Sequence, residues 1–343
     1  MNSTVMNQGV VVRNEDGRIS VACEAISMPE LFGDSLIVEP AYVGICGSDL
    51  DQVFAKTDPS FQVEYPHTLG HEWSGTVKQV GKKVTTFKVG DEIIGHGHLG
   101  GQRWFGVSTD GAMADHFSVP ANMCFKVPNG VTLKQAALIE PLACALQGLR
   151  KAGGVDAGHN VTVIGCGAIG LSMIALVKDL GANVIAIDRS ELRLQLAKKL
   201  GADAVIVHDI REDTIETLNS ITFGHGSDLI VEASGNANGQ GLTFDLSANN
   251  ARILFMGITH NLAQEVSLFQ IQNKNLTVLS SVGAPAEIWE PALKVVSRTK
   301  MDLTPIVSDI FSFVECNQGL LAAKDSSNHA KVLLSPSGKS LIK

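Results

Sequence analysis

Three side chains of the sequence offer donor atoms that proteins use to bind zinc. Cys46 lies in the segment 44–49, and His71 and Glu72 lie together in the segment 70–75. A thiolate, an imidazole and a carboxylate are all common zinc ligands. The separation of Cys46 from His71 is not diagnostic by itself. For any one residue alone, a buried cysteine, a core histidine or a surface glutamate is the commoner interpretation.

Glu140 is a fourth candidate, because it places a carboxylate in an otherwise apolar stretch. Residues 132–152 carry apolar side chains at helical spacing, with Pro141 as a kink or as a break between two helices. Burial of an unpaired charge is costly, so a carboxylate in this stretch is expected to have a partner. A nearby cation would be such a partner, which agrees with a metal site.

A glycine-rich segment indicates a second kind of chemistry, the binding of a dinucleotide. Gly165-Cys-Gly167-Ala-Ile-Gly170 follows the apolar run 161–164 and precedes an amphipathic helix predicted over 169–180. Gly165 allows a tight turn, Gly167 lets the backbone approach a pyrophosphate, and Gly170 lets helix and strand pack closely. The motif alone is a weak signal, and a turn without a ligand is the alternative. The strand and helix around it favour the dinucleotide.

The neighbours of this segment predict which dinucleotide it binds. Backbone N–H groups near Ala168 and Ile169 are predicted to face an anion at the positive end of the helix. Asp188 ends the next predicted strand and is expected to accept hydrogen bonds from the ribose hydroxyls. Its charge would repel a 2′-phosphate, which favours NAD over NADP. Arg189 is a counter-argument, because an arginine in this loop can pair with that phosphate.

The elements that must position these residues fall into two predicted domains, since 343 residues exceed what one compact core usually holds. Short alternating runs near glycine or proline, such as 35–39 and 75–80, predict a small β-barrel or sandwich at the amino-terminal end. From residue 160 strands and helices alternate, which predicts a parallel sheet covered on both faces. Six strands of that sheet are complete by Leu279, so the remaining chain is expected to pack back on the amino-terminal domain.

Composition excludes several classes of protein. Lys and Arg total 27 against 35 Asp and Glu, so no broad basic surface is expected and nucleic acid is a poor candidate partner. No apolar run approaches the roughly 20 residues that span a bilayer. Residues 1–18 are polar and lack the features of a signal peptide. The six cysteines lack the short spacings of a disulfide framework. A soluble, cytoplasmic protein without a membrane partner is predicted.

Four segments carry a resemblance to a known family. They resemble motifs of the zinc-dependent medium-chain dehydrogenase/reductase superfamily, and the likeness covers nearly the whole chain. In chain order the segments are GICGSD, GHEWSGTVKQVG, EPLA and VIGCGAIG, and Asp188 follows the last of them. The Glu-Pro-Leu signature resembles the polyol branch, with sorbitol dehydrogenase and threonine 3-dehydrogenase. The wording GHEWSG also resembles 2-deoxy-scyllo-inosamine dehydrogenases, which oxidise an aminocyclitol.

The resemblance implies an α/β fold with two parts, a Rossmann doubly wound parallel sheet and a GroES-like β-rich catalytic domain, with the active site between them. On this basis residues 1–155 are predicted to form the GroES-like catalytic domain and residues 156–285 the NAD-binding Rossmann domain. Residues 286–343 are predicted to be a C-terminal segment that returns to the catalytic domain. Homodimers or homotetramers are implied as well.

The resemblance also implies roles for single residues at a catalytic zinc. Cys46, His71 and Glu72 are implied as ligands, with Glu140 as a fourth ligand or as the partner of a zinc-bound water. Which of the two glutamates binds the metal directly stays open. Ser48 matches the hydroxyl that passes the substrate proton onward, so Ser48, Glu72 and Glu140 are the predicted catalytic residues. Asp49 matches a carboxylate that orients His71.

Cofactor-binding positions follow from the same resemblance. Ile169, Asp188 and Arg193 match family positions that touch NAD. The predicted cofactor-binding residues are Gly165, Gly167, Ala168, Ile169, Gly170, Asp188, Arg189 and Arg193.

The sequence departs from the family pattern at two places. Many members hold a second, structural zinc with four closely spaced cysteines, yet there is no cysteine between Cys46 and Cys124. One catalytic zinc per subunit and no structural zinc are therefore predicted, with His96 and His98 as loop residues. Relatives often have a histidine where this chain has Asp51, which leaves the proton exit route open. An exposed loop carboxylate is the simpler interpretation of Asp51.

The combined motifs predict a zinc-dependent NAD(H) oxidoreductase. It would convert a secondary alcohol of a polyol, cyclitol or aminocyclitol to a ketone by hydride transfer, with a polyol-like small molecule as its partner. Three alternatives remain at this point. They are an activity like that of L-threonine 3-dehydrogenase, a zinc-free reductase of activated double bonds that uses NADPH, and a non-catalytic dinucleotide-binding sensor. The sequence does not determine the exact substrate or the oligomeric state.

Overall fold

The chain folds into two compact units. The computed structural model describes residues 6–55, 63–101, 103–258 and 268–336. The first unit consists of Met1–Glu140, Pro285–Asp325 and Lys331–Lys343, and the second consists of Pro141–Ala284 and Ser326–Ala330. The domain boundaries drawn from the sequence at residues 155 and 285 stay predictions. In the described ranges there is no helix with the length and apolar character required to cross a membrane.

Strands dominate the amino-terminal part of the first unit, in agreement with the alternating pattern of its sequence. The predicted strands 35–39 and 75–80 are both present and are longer than expected. The strands are β1 (Asn7–Glu15), β2 (Arg18–Ile26), β3 (Ser35–Gly44), β4 (His67–Thr68), β5 (Glu72–Val80), β6 (Glu92–Gly95), β7 (His98–Gly100), β8 (Arg103–Trp104), β9 (Phe117–Pro120) and β10 (Cys124–Lys126).

Three helices follow or interrupt these strands, namely α1 (Gly47–Phe54), α2 (Leu133–Ala136) and α3 (Ile139–Lys151). Thr132 begins α2 as its N-cap, where its hydroxyl accepts a hydrogen bond from Gln135 N. The predicted break is present, but it falls before Pro141 rather than at it. Pro141 is the third residue of α3, where a backbone N–H has no intrahelical acceptor, so the proline costs little there.

The second unit is the predicted doubly wound sheet. Its six strands lie in the order β13-β12-β11-β14-β15-β16, and neighbouring strands are parallel. Ser190 caps α5 as predicted, because its hydroxyl accepts a hydrogen bond from Arg193 N. The elements are β11 (Asn160–Ile164), α4 (Ala168–Asp179), β12 (Asn183–Asp188), α5 (Glu191–Lys199), β13 (Ala204–Val207), α6 (Arg211–Ile221), β14 (Ser227–Glu232), α7 (Ala237–Leu246), β15 (Ser247–Phe255), α8 (Phe269–Asn273) and β16 (Thr277–Ser280).

The last part of the chain completes the main sheet of the first unit. It forms α9 (Ala286–Thr299), β17 (Val307–Ser312), α10 (Cys316–Lys324) and β18 (Lys331–Ser335). Strand β18 pairs with β3 in antiparallel register, with Leu333 opposite Gly44, and with β17 in parallel register. The sheet then has the order β10-β6-β5-β3-β18-β17. This order places the beginning of β18 beside the end of β3, next to Cys46.

Candidate active site

The three predicted zinc-binding side chains meet in the first unit. The ligand atoms of Cys46, His71 and Glu72 all lie within 4.8 Å of one another, and they form the one group with metal-binding potential among the residues that the structure describes. Cys46 follows β3 and begins α1, whereas Glu72 begins β5, which is paired with β3. The pairing of two adjacent strands therefore brings together residues that are distant in sequence.

Tight backbone geometry places His71 against this strand pair. Gly70 has a φ of +100°, and a Cβ atom there would lie 2.6 Å from a methyl group of Val43. Only glycine fits such a position without strain. His71 and Glu72 are almost completely buried, whereas Cys46 is half-buried. Of the three side chains, Cys46 is therefore the one that is partly exposed to solvent.

Asp49 stabilises the turn that carries Cys46. Its Oδ2 accepts a hydrogen bond of 2.8 Å from Cys46 N, and its Oδ1 lies 3.9 Å from Nδ1 of His71. The second distance is too long for a hydrogen bond but short enough for attraction between charges. Burial raises the pKa of the Asp49 carboxyl, against the opposing effect of His71. Asp49 lies where the resemblance placed a carboxylate that orients His71, a role that stays a prediction.

The electrostatic field of the cluster favours a cation. Burial alone would lower the pKa of His71, but Cys46, Asp49 and Glu72 outweigh it and raise the pKa to about 10. Nδ1 of His71 has no hydrogen-bond partner in the described part of the chain. A group of sulfur, nitrogen and oxygen donors with excess negative charge, largely shielded from solvent, fits the preferences of Zn²⁺. The residues present therefore fit the metal.

Lys331 is a component of the site that the sequence did not reveal. It begins β18, is 5% exposed, and its Nζ donates a hydrogen bond of 2.8 Å to Ile45 O. The same Nζ forms an ion pair with Oε2 of Glu72. A lysine at the start of the apolar strand KVLLS was the signal available. Its partner, however, depends on the pairing of β18 with β3, which the sequence does not state.

Gly44 makes room for this ion pair. A Cβ atom at Gly44 would lie 2.4 Å from Oε2 of Glu72 and 2.9 Å from Cε of Lys331. Distances this short do not occur in folded proteins without displacement of a neighbour. The absence of a side chain at Gly44 therefore lets Glu72 and Lys331 meet above the strand.

Glu140 lies in the first turn of α3 and is half-buried. It is outside the close set formed by Cys46, His71 and Glu72 in the described residues. Its charge contributes to the site through Lys331. Burial lowers the pKa of Lys331, but Glu72, Cys46 and Glu140 raise it above the ordinary value for a lysine. The expectation of a cationic partner near Glu140 thus agrees with a lysine as well as with a metal.

Two further residues near Cys46 lie on α1. Ser48 is half-buried, and its Oγ is buried without a hydrogen-bond partner among the residues described. A hydroxyl in this state is available to a ligand at the cluster. Asp51 was expected in an exposed loop, but it belongs to α1 and is half-buried. The helix begins at Gly47 because Cys46 and Asp49 form its capping contacts.

His96 and His98, which were not expected to bind a metal, differ in their surroundings. His96 is 6% exposed, and its ring contacts Phe125 and Trp289, with ring centroids 6.3 and 6.4 Å away. Burial lowers the pKa of His96, so its neutral form is favoured. His98 was expected in a loop but begins the short strand β7. The number of zinc ions per subunit stays a prediction.

The glycine-rich segment has the geometry that its spacing predicts. Gly165 follows β11 with a φ of +93°, and α4 begins at Ala168, next to Gly167. A Cβ atom at Gly170 would lie 1.9 Å from Gly165 O, so helix and strand approach too closely for any other residue. A Cβ atom at Gly167 would meet nothing within 4 Å, so this stretch of backbone is open to a ligand. Ala168 and Ile169 form the half-buried start of the helix.

Asp188, the predicted ribose-binding residue, contacts this turn. Asp188 ends β12, and its two carboxylate oxygens accept hydrogen bonds from Cys166 N at 2.6 Å and Ser190 N at 2.8 Å. Each oxygen keeps a second lone pair for a ligand hydroxyl. Arg189 is exposed. The guanidinium of Arg193 donates to His329 O at 2.7 and 2.9 Å, so it also fixes the segment Ser326–Ala330 to α5.

Both parts of the chain match family models. Residues 33–129 match the family described as "Alcohol dehydrogenase GroES-like domain", and residues 168–298 match the family described as "Zinc-binding dehydrogenase". An L-threonine 3-dehydrogenase from Bacillus licheniformis is 30% identical over 321 residues, which cover 88% of this chain and 92% of the relative.

Solved structures show the same relationship. The crystal structure of 2R,3R-butanediol dehydrogenase from Bacillus subtilis matches with a TM-score of 0.86 and 25% identity, covering 96% of this chain and 99% of the other. Galactitol-1-phosphate dehydrogenase from Escherichia coli matches with a TM-score of 0.83 and 29% identity, covering 96% and 100%. The GroES-like and Rossmann parts expected from the sequence are thereby confirmed.

Proposed function

Because the chain belongs to the zinc-dependent medium-chain dehydrogenase/reductase superfamily, we propose that it oxidises a secondary alcohol of a polyol, cyclitol or aminocyclitol to a ketone. When bound, NAD would supply the hydride acceptor for the carbinol carbon, and the hydroxyl would lose its proton, so that the products would be a ketone, NADH and H⁺. The observation that carries the proposal is the close set of Cys46, His71 and Glu72, with ligand atoms within 4.8 Å of one another.

The residues of this set would hold the catalytic zinc. When bound, zinc supplies Lewis acidity, which lowers the pKa of an oxygen ligand by several units. Lys331 fixes one carboxylate oxygen of Glu72 by an ion pair and leaves the other oxygen for the metal. Glu140 would act from the first turn of α3, as a ligand or as the partner of a water molecule.

Ser48 would accept the proton of the substrate hydroxyl at its Oγ. This atom is buried and has no hydrogen-bond partner in the described chain, so a substrate oxygen would satisfy it. A positioned proton acceptor of this kind contributes roughly 10²–10⁴-fold to a rate. Asp51, three residues further along α1, is a candidate for the next step of the proton route.

The glycine-rich segment would bind the cofactor. Backbone N–H groups at the start of α4 would face the pyrophosphate, and Asp188 would accept hydrogen bonds from the ribose hydroxyls. The carboxylate of Asp188 is fixed by Cys166 N and Ser190 N, so its negative charge stays at the edge of the site. This fixed charge supports NAD as the preferred cofactor over NADP.

The similar proteins support a substrate with a polar group beside the reacting alcohol. Butane-2,3-diol and galactitol 1-phosphate carry a neighbouring hydroxyl, whereas L-threonine carries a neighbouring amino group. An activity like that of L-threonine 3-dehydrogenase is therefore the second candidate, favoured by the 30% identity to such an enzyme over 88% of this chain.

A substrate screen tests the proposal. Protein purified without chelators is analysed for zinc, and NADH formation is followed at 340 nm with sugar alcohols, cyclitols, aminocyclitols and L-threonine. Turnover with one of the first three classes is expected, together with bound zinc. Turnover with L-threonine alone would favour the second candidate. Binding of NADH without turnover of any alcohol would instead indicate a dinucleotide sensor.

A homodimer or homotetramer is proposed from the family resemblance, and light scattering coupled to size-exclusion chromatography would measure it. The cytoplasmic location also stays a prediction.

A further inference from the structure

Glu232 is a buried carboxylate in the second unit and is not one of the residues assigned to the cofactor. It is the last residue of β14 and is 0% exposed. It lies opposite Ile164 of β11 and Phe255 of β15. The strand order reverses between β11 and β14, and ligands of doubly wound sheets bind at such a point, beyond the carboxyl ends of the strands. Glu232 is therefore located beneath the expected ligand position.

The side chain of Glu232 fixes the turn that follows its own strand. Its Oε1 accepts hydrogen bonds from Ser234 N at 2.8 Å, from Gly235 N at 3.2 Å and from the hydroxyl of Ser234. That hydroxyl in turn accepts a hydrogen bond of 3.1 Å from Asn236 N, at the start of α7. One carboxylate oxygen thus determines the path of the chain from β14 into the next helix.

The backbone of Glu232 fixes a second turn. Its carbonyl oxygen accepts hydrogen bonds from Met256 N at 2.8 Å and from Gly257 N at 2.9 Å. These two residues follow β15, the neighbouring strand. The same residue therefore connects the turns after two adjacent strands, on the edge of the sheet where the cofactor is expected.

The turn fixed by Glu232 packs directly against the glycine-rich segment. Ala233 N donates a hydrogen bond of 2.8 Å to Ile164 O, and a Cβ atom at Gly165 would lie 2.5 Å from Ser234 N. No space separates the two loops at this point. A displacement of Ser234 would consequently displace Gly165, the first glycine of the segment predicted to bind pyrophosphate.

Two glycines provide the space for the carboxylate. A Cβ atom at Gly257 would lie 2.7 Å from Oε2 of Glu232, and one at Gly239 would lie 3.2 Å from Oε1. Oε2 has no hydrogen-bond partner in the described ranges of the chain. A buried carboxylate with one unsatisfied oxygen is costly for stability. Stability alone therefore does not explain an ionisable residue at this position. The hydrogen bonds of Oε1 indicate that its function is to fix the turn at Ser234 and Gly235.

We propose that Glu232 is a positioning residue for the dinucleotide, because Oε1 holds the Ser234–Gly235 turn against which the pyrophosphate-binding segment at Gly165 is packed. The inference rests on the proposed dinucleotide-binding function. It assigns to Glu232 no direct contact with the cofactor, since Oε2 is buried and Oε1 is occupied by three donors.

Titration calorimetry with the zinc-loaded protein tests this role, using ADP-ribose, which contains the pyrophosphate, and adenosine, which lacks it. Glu232→Ala and Glu232→Asp both withdraw the acceptor from the turn. Each variant is expected to bind ADP-ribose about tenfold more weakly, which is the effect of losing one charge-assisted hydrogen bond. The affinity for adenosine is expected to change less than about threefold. Glu232→Gln keeps an acceptor oxygen and is expected to stay within about threefold of the wild type for both ligands.

Asp228→Asn is the matched control, because Asp228 lies at the other end of β14 and accepts a hydrogen bond of 2.8 Å from Asn160 N. It should leave both affinities unchanged. Unchanged affinity of the Asp variant for ADP-ribose, or an equal loss for both ligands, would overturn the role of Glu232. If Glu232→Ala does not melt cooperatively, the comparison of Glu232→Asp with Glu232→Gln tests the role of Glu232. A wild-type protein that binds no dinucleotide would instead refute the proposed function itself.

Discussion

The ammonium group of Lys331 and the carboxylate of Glu72 form a buried ion pair across the backbone of Gly44. The two residues lie on strands that flank β3, and each is at most 5% exposed. Lys331 therefore belongs to the candidate metal site even though it offers no ligand to a metal. Its ammonium compensates part of the negative charge that Cys46, Asp49 and Glu72 concentrate there.

Replacement of Lys331 by methionine should leave the buried Glu72 without the ammonium that pairs with it when zinc is absent. Loss of one member of a buried pair costs about 3–5 kcal/mol, so the metal-free protein should melt at a clearly lower temperature. Zinc should restore part of the loss, because it supplies a positive charge to the same carboxylate. Thermal melting with and without chelator measures both effects. Lys331→Arg is the control that keeps the charge. Equal melting temperatures of wild type and Lys331→Met without zinc would contradict this account.

Cys46→Ser should remove zinc and turnover together, because the thiolate is the softest ligand of the set. A loss of about 10³-fold in kcat/KM is expected if several kcal/mol of transition-state stabilisation disappear. NADH binding should persist, since Cys46 lies outside the second unit. Metal analysis, fluorescence titration and a 340 nm assay measure the three quantities. Cys23→Ser changes a half-buried cysteine of the first unit outside the set and should keep its zinc. A Cys46→Ser protein with full turnover would refute the metal assignment.

Ser48→Ala should lower turnover without loss of zinc. Removal of a proton acceptor costs roughly 10²-fold or more, and Oγ of Ser48 makes no hydrogen bond within the described chain that its loss would break. The melting temperature should therefore stay close to that of the wild type. Ser118→Ala, which removes a hydroxyl 3.3 Å from Ser35 Oγ, serves as a control with normal turnover. A wild-type rate for Ser48→Ala would exclude the hydroxyl from the proton route.

Asp188→Ala should lower the affinity for NAD by about tenfold and reduce the discrimination against NADP, because a charged acceptor for the ribose hydroxyls is lost. Asp188→Asn separates two effects, since it keeps an oxygen for Cys166 N or Ser190 N but removes the charge. It should raise the affinity for NADP relative to NAD, with only a small loss in the affinity for NAD itself. Fluorescence titrations with NADH and NADPH give both ratios. Asp203→Asn, which alters an acceptor for Val184 N at the opposite end of β12, should not change the ratio. An unchanged cofactor ratio in both Asp188 variants would contradict the assigned role.

The parts of the site that could be predicted are those encoded by local sequence. The turn at Gly165, the capping of α5 by Ser190 and the strand that ends at Asp188 all depend on residues within one strand–helix unit. Backbone conformation and hydrogen bonds to near neighbours determine these features, so spacing alone reveals them. Cys46, His71 and Glu72 could be proposed as a group because their chemistry is distinctive.

The parts that could not be predicted depend on strand pairing between distant segments. Nothing near Lys331 in the sequence indicates that β18 pairs with β3, or that Glu72 is its partner. Likewise, the hydrogen bonds of Glu232 require the turns after β14 and β15 to lie side by side. In both cases the sequence shows only a charged residue at one end of an apolar run, and its burial and its partner are properties of the folded sheet.

The hydrogen bond from Lys331 to Ile45 O joins residues 286 positions apart. During synthesis on the ribosome, the segments that carry Cys46, His71 and Glu72 emerge long before β18, the strand that carries Lys331. Until β18 has been made, Glu72 lacks the lysine that pairs with it in the folded protein. Translation products that end before residue 331 are therefore expected to contain all three candidate ligands without the ammonium that compensates the charge of Glu72.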